Sequence, residues 1–160
     1  GVFEDYLRFS PDFGSDRGSV WIALLTAFIS FPIVKIFIGS GPDTIYQVLL
    51  DYYPSEIKNG SLLPFDSAHN EYIHYLITTG LIGLAAYCTL IGFLISWAWR
   101  RARKSEFMLP LVASAICYAV QGFFNISVIS VTPLFFLVLS LIGIDYYQSK
   151  LNKNNILLNN

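Results

Sequence analysis

His69 stands in the run Asp66-Ser67-Ala68-His69-Asn70-Glu71-Tyr72, where a polar stretch gives way to a long apolar one, and it is one of only two histidines in the chain. An imidazole titrates near neutral pH, so at such a boundary it can take a proton from a hydroxyl that attacks a bound substrate. The other reading of the same residues is a helix start. Ser67 or Asp66 would then cap the helix, and Glu71 would sit in its first turn, where the dipole favours an anion. Arg17, in Gly14-Ser15-Asp16-Arg17-Gly18-Ser19-Val20-Trp21, is the second candidate. Its planar fork of donors suits phosphate oxygens. Otherwise it pairs with Asp16 or begins a helix, where a cation opposes the dipole and invites an anionic partner. Lys35 either assists it or snorkels. Glu71 and His74 have the three-residue spacing of Glu-x-x-His di-iron helices, but no second copy or facing carboxylates accompany them, so no metal site is read. His74 is expected to pair with a polar group inside a bundle.

The elements that must hold these residues are membrane helices. The chain has 160 residues, 54% hydrophobic and 13% charged, and its charge is concentrated outside long apolar runs. The fold expected is all-α: a fragment of a polytopic membrane helix bundle with three spans, from about Tyr72 to Trp99, Phe107 to Val128 and Ile129 to Tyr147. Arg100, Arg101, Arg103 and Lys104 lie between the first two spans, and Lys150 and Lys153 follow the third. With three spans both basic clusters fall on the cytoplasmic side, together with Trp97, Trp99, Tyr146 and Tyr147 as part of an aromatic belt. Residues 1–71 then form an acidic extracytoplasmic region. Residues 148–160 form a cytoplasmic tail that looks frayed from Asn152 onwards.

Within the outer region, Ser19 to Ile38 is apolar enough to span but is interrupted by Pro32 and Lys35. It is read as an outer helix from about Ser19 to Phe31, packed on the bundle or lying in the interface. Gly39-Ser40-Gly41-Pro42-Asp43 makes a tight loop. In the second span, Ser114, Tyr118, Gln121 and Asn125 form one polar stripe, which either bonds a neighbouring helix or lines a cavity. Gly80 and Gly83 suggest close packing of the first span. Cys88 and Cys117 read as small packing residues in lipid or protein interior rather than a disulfide. The net charge of −1 argues against nucleic acid as a partner. The chain begins at Gly1, carries no signal-peptide pattern, and is read as part of something longer.

Arg17…Trp21, Ile38-Gly39-Ser40-Gly41-Pro42, Ala68-His69-Asn70-Glu71-Tyr72 and Thr79-Gly80-Leu81-Ile82-Gly83-Leu84, in that order, resemble the C-terminal part of the O-antigen ligase and O-antigen polymerase-like family of bacterial membrane proteins. The Ala-His-Asn stretch with the Gly-Leu-Ile-Gly-Leu opening of the following span is the most specific part, and the resemblance covers roughly Asp16 to Val128. It implies a GT-C-type glycosyltransferase of the bacterial inner (cytoplasmic) membrane whose active site faces the periplasm or outside. Such an enzyme takes a glycan from a polyprenyl-pyrophosphate carrier and joins it to a hydroxyl of a glycan or lipid-glycan acceptor, without a cofactor. By that resemblance His69 is catalytic, and Arg17 and Asn70 bind substrate. A further arginine of the family lies upstream of this fragment, which alone is then inactive. The Asn/Lys-rich tail and the abundant Tyr and Phe also fit bacteria that build capsule or wall glycan. The rival reading is a non-catalytic membrane module: a transporter or flippase piece, or an assembly subunit. In it His69 only begins a helix and the polar stripe lines a path.

Overall fold

The computed structural model describes residues 17–62, 65–103, 105–125 and 130–158. The acidic run before Arg17, Lys104 and the junction 126–129 lie outside the described residues. Those described are helical, with no strand among them: α1 (Arg17–Ile29), α2 (Ile33–Ile38), α3 (Ile45–Tyr52), α4 (Pro54–Lys58), α5 (Glu71–Ala102), α6 (Met108–Phe124) and α7 (Thr132–Leu158). The chain divides into two compact units, Gly1–Ala86 with Gly122–Ile126, and Tyr87–Gln121 with Ser127–Asn160.

The first unit is built around α1. Val20, Ala23, Leu24 and Ala27 recur at helical spacing and are buried with Ile45, Val48 and Leu49 of α3, against which α1 packs. The stop after α1 is set by Pro32, which disfavours helical geometry in the residue before it. The 13 residues of α1 and the six of α2 each fall short of the roughly 20 that a crossing needs, so Ser19 to Ile38 forms two short helices. Their outward side is apolar: Ile22, Leu25, Ile29, Ile33, Val34, Phe37 and Ile38 are exposed. Lys35 lies with its ammonium 6.0 Å from the Phe31 ring centroid, so its charge is met by an aromatic face of its own segment.

The loop after α2 does unusual work. Gly39 and Gly41 take left-handed φ values of 80° and 109°, as does the non-glycine Asp43 at 55°. The α5 backbone is broken at Gly80, with φ 69° and ψ −170°, a region open essentially to glycine alone. Just before the break, Thr78 and Thr79 each donate a hydroxyl to the carbonyl four residues back, which favours bending. The break strips Ile77 and Thr78 carbonyls of their helical donors, and the loop replaces them. Ser40 N–H donates to Ile77 O at 2.8 Å and Gly41 N–H to Thr78 O at 3.0 Å, with Ser40 Oγ–H donating to Ile77 O at 2.9 Å. A Cβ on Gly39 would collide with the Thr78 carbonyl and Thr79 nitrogen, and one on Gly80 with the Phe37 carbonyl. The two glycines therefore let two stretches of backbone touch. Gly83 serves differently: a Cβ there would meet the side chain of Thr79 in its own helix.

In the second unit Tyr87, Ile91, Leu94 and Ala98 of α5 are buried, as are Met108, Leu111, Val112 and Ala115 of α6 and Phe135, Leu139 and Ile142 of α7. At its polar end Trp97 Nε1–H donates to Asp145 Oδ2 at 3.2 Å, Arg101 Nε lies 3.3 Å from the same oxygen, and Trp97 meets Tyr146 edge-on.

Among the described residues two helices are long and apolar enough to cross a membrane: α5, and α7 over Thr132–Asn155. The expected second span is shorter: α6 has 17 residues, starts at Met108 and is helical only to Phe124, and the end anticipated for it at Val128 falls outside the described residues. The tail from Asn152, expected to fray, continues α7 to Leu158, because no glycine or proline follows Gly143 to interrupt it. Cys88 and Cys117 are free and exposed, so neither packs in the protein interior.

Candidate functional site

The segment 65–70 is fixed in the first unit by its backbone. The indole N–H of Trp21 on α1 donates to the Ala68 carbonyl at 2.6 Å, and the His69 N–H donates to Ser67 Oγ at 3.1 Å. The cap of α5 is Asn70, not Ser67 or Asp66: the Ile73 N–H donates to Asn70 Oδ1 at 3.0 Å, three residues on. Ser67 is occupied instead with the turn around His69.

That turn places His69 at φ 47°, a left-handed conformation that a β-carbon makes costly. Such strain persists only where surrounding structure over-determines it, and it concentrates at working sites. The ring is half-buried and sits edge-on to Phe65, centroids 5.5 Å apart. Burial and, next, the positive charge of Arg17 hold its pKa below the usual 6.5, against the opposing pull of Asp66. Both effects favour the neutral, proton-accepting form of the imidazole.

Arg17 is the first residue of α1, and its Nη1–H donates to the Phe124 carbonyl at 2.9 Å. The counterpart invited by its position is thus the electronegative C-terminal end of α6. Asp16, its other expected partner, lies outside the described residues. One donor of five is used in this bond, and the guanidinium is close enough to His69 to act on it electrostatically. The structure therefore brings Arg17, His69 and Asn70 into one region of one unit.

Beside them is a cavity of about 370 Å³ lined by Gly18, Trp21, Ile22, Leu25, Asn70, Tyr72, Ile73 and Phe123. Trp21 meets Phe123 edge-on at 5.9 Å and Tyr72 lies 6.4 Å from the same ring. Tyr72, Phe123 and the cavity itself were not marked as functional by sequence pattern, since aromatic residues at helical spacing read first as core. Glu71 is buried, and its carboxylate approaches Gly122 so closely that a Cβ there would lie 2.7 Å from Oε2.

His74, expected to pair within a bundle, has a buried Nδ1 with no hydrogen-bond partner among the described residues. No group of three or more His, Cys, Asp or Glu side chains is placed to hold a metal among the described residues. The polar stripe is divided. Ser114, Tyr118 and Gln121 border a separate cavity of about 280 Å³ in the second unit, where Tyr118 stacks on Phe135 at 3.9 Å and its hydroxyl shares a hydrogen bond of 3.1 Å with Thr132. Asn125 belongs to the first unit.

Compared with family models, curated proteins and solved structures, the chain matches none of them.

Proposed function

We propose that this chain is part of a bacterial membrane glycosyltransferase, a polysaccharide ligase or polymerase similar to the O-antigen family. It would sit in the cytoplasmic membrane with its active site on the outer face. The observation that carries the reading is the geometry of His69: in a left-handed backbone conformation, within the electrostatic reach of Arg17, and adjoining Asn70, which lines an apolar cavity. In the reaction, His69 takes the proton of an acceptor hydroxyl as its oxygen forms a bond to the anomeric carbon of the donor glycan. The bond from that carbon to the carrier's pyrophosphate breaks, and its electron pair leaves with the pyrophosphate. Arg17 meets the charge that develops there, where a preorganised cation acts most strongly on the transition state. The cavity beside Asn70 and the exposed apolar side of α1 and α2 suit the polyprenyl end of the donor and the membrane around it. The acceptor is a glycan repeat, in capsule, wall glycan or O-antigen, or a lipid-linked glycan.

The test is His69→Ala in the full-length protein, with surface glycan and lipid-linked intermediates measured in cells that still insert it. Loss of long chains with single repeats left on the carrier identifies a polymerase, and full-length glycan stranded on its carrier identifies a ligase. Normal surface glycan refutes catalysis. One observation favours the rival reading of a transporter piece: α5 is a broken helix, and broken helices at membrane depth often form transport sites. That reading requires glycan translocation without transfer, and a His69→Ala protein that translocates normally.

A further inference from the structure

Asn70 is 1% exposed, and its carboxamide is only half used. Its Oδ1 accepts the capping bond from Ile73, and that bond settles which end of the amide faces the helix. The other end, Nδ2, is buried and has no hydrogen-bond partner among the described residues. Capping does not account for it, because serine or aspartate caps as well and buries no idle donor. A buried donor left alone is unfavourable and is rare in folded chains.

Asn70 lines the cavity of about 370 Å³, and that cavity is otherwise walled mainly by carbon. The indole N–H of Trp21 is directed to the Ala68 carbonyl, so the ring contributes packing surface rather than a donor. No charged side chain lines the cavity, while Arg17 precedes its wall residue Gly18. An occupant that satisfies both features has an apolar chain within the cavity, an uncharged oxygen acceptor at its head, and any anionic group beyond that oxygen, toward Arg17.

We infer that Asn70 positions the lipid-linked donor by donating from Nδ2 to the oxygen that joins the apolar chain to its first phosphate. This rests on the proposed glycosyl transfer and adds to it a residue that sets the register of the carrier. Asn70 adjoins His69 in the chain, so fixing that oxygen fixes how far the anomeric carbon lies from the base.

The experiment uses the full-length protein, with binding of a long-chain polyprenyl pyrophosphate, the corresponding polyprenol and inorganic pyrophosphate measured by native mass spectrometry. Asn70→Ser and Asn70→Asp retain a capping oxygen; the serine variant, which buries no charge, should melt near the parent, and the aspartate variant, which buries a carboxylate beside Glu71, should melt lower. Each should weaken both lipids by about tenfold, the scale of one hydrogen bond, and leave inorganic pyrophosphate unaffected. KM for the donor should rise more than kcat falls. Arg17→Gln should weaken the two pyrophosphates and spare the polyprenol. Unchanged lipid affinity in both Asn70 variants overturns the inference and leaves Asn70 as a cap only, while glycosyl transfer stands if His69→Ala remains inactive. Failure of the parent to bind either lipid overturns it as well. If His69→Ala transfers normally but polyprenol binding still depends on Asn70, the inference survives and the transfer reading falls.

Discussion

Replacing Gly80 with alanine tests whether the break in α5 is held by the loop that docks on it. At φ 69° and ψ −170° a β-carbon costs roughly 1–3 kcal/mol in backbone strain alone. The same Cβ would fall 2.6 Å from the Gly39 nitrogen and closer still to the Phe37 carbonyl, below any distance that real β-carbons show. The backbone must therefore separate, which removes the bonds from Ser40 N, Ser40 Oγ and Gly41 N to the carbonyls of Ile77 and Thr78. At about 1 kcal/mol for each bond, the total reaches about 4–6 kcal/mol if the loop detaches, and about 2 kcal/mol if it only loosens. Hydrogen exchange reads this directly, since the Ser40 and Gly41 amides are the groups that open. Even the smaller figure speeds their exchange by about 30-fold. Gly92→Ala is the control: it lies in the same helix, a Cβ there meets nothing within 4 Å, and helix propensity favours alanine by up to about 1 kcal/mol. Equal exchange at Ser40 and Gly41, and equal melting, in the two variants would refute the account of the break.

Three further predictions concern His69. Its folded-state pKa lies below 6.5, so the acidic limb of kcat/KM should fall below that pH; removing the Arg17 charge with Arg17→Gln raises the imidazole pKa and should move the limb to higher pH, whereas Arg17→Lys keeps the limb in place and lowers the rate through loss of the fork. The unfolded chain takes up this proton first, so the contribution of His69 to stability is complete above 6.5 and declines as pH falls from there toward the depressed pKa, which a melting series across that range measures. His69→Gly and His69→Ala should both abolish transfer, but the glycine variant should be the more stable by about 1 kcal/mol, because φ 47° strains only the residue with a β-carbon; an alanine variant as stable as the glycine one contradicts the strain.

His69 and Arg17 were legible because of scarcity. One of two histidines, set at a polarity boundary, and an arginine at a helix start are visible in the letters, and the fold places them in one unit. The helical class and the interruption at Pro32 were legible from periodicity and from proline geometry. The break at Gly80 was not, because Gly80 and Gly83 suit close helix packing equally well, and only the arrival of Gly39 and Ser40, some forty residues earlier in the chain, separates their roles. The cap was misjudged for a related reason. Ser67, Asp66 and Asn70 are all good capping residues, and Ser67 is withdrawn by its bond to the His69 amide, which no local pattern reveals. The cavity beside Asn70 is assembled from α1, α5 and the end of α6, so no single stretch of sequence carries it.

The clasp between the Gly39–Gly41 loop and the broken α5 also implies an order of assembly. In the membrane reading proposed above, residues 71–102 would enter a bilayer as one continuous helix, with the carbonyls before its last turn bonded inside the segment, as lipid demands. The gap at Gly80 becomes tolerable only once Ser40 and Gly41 supply outside donors for Ile77 and Thr78. Opening of the helix and seating of the loop are then two halves of one event.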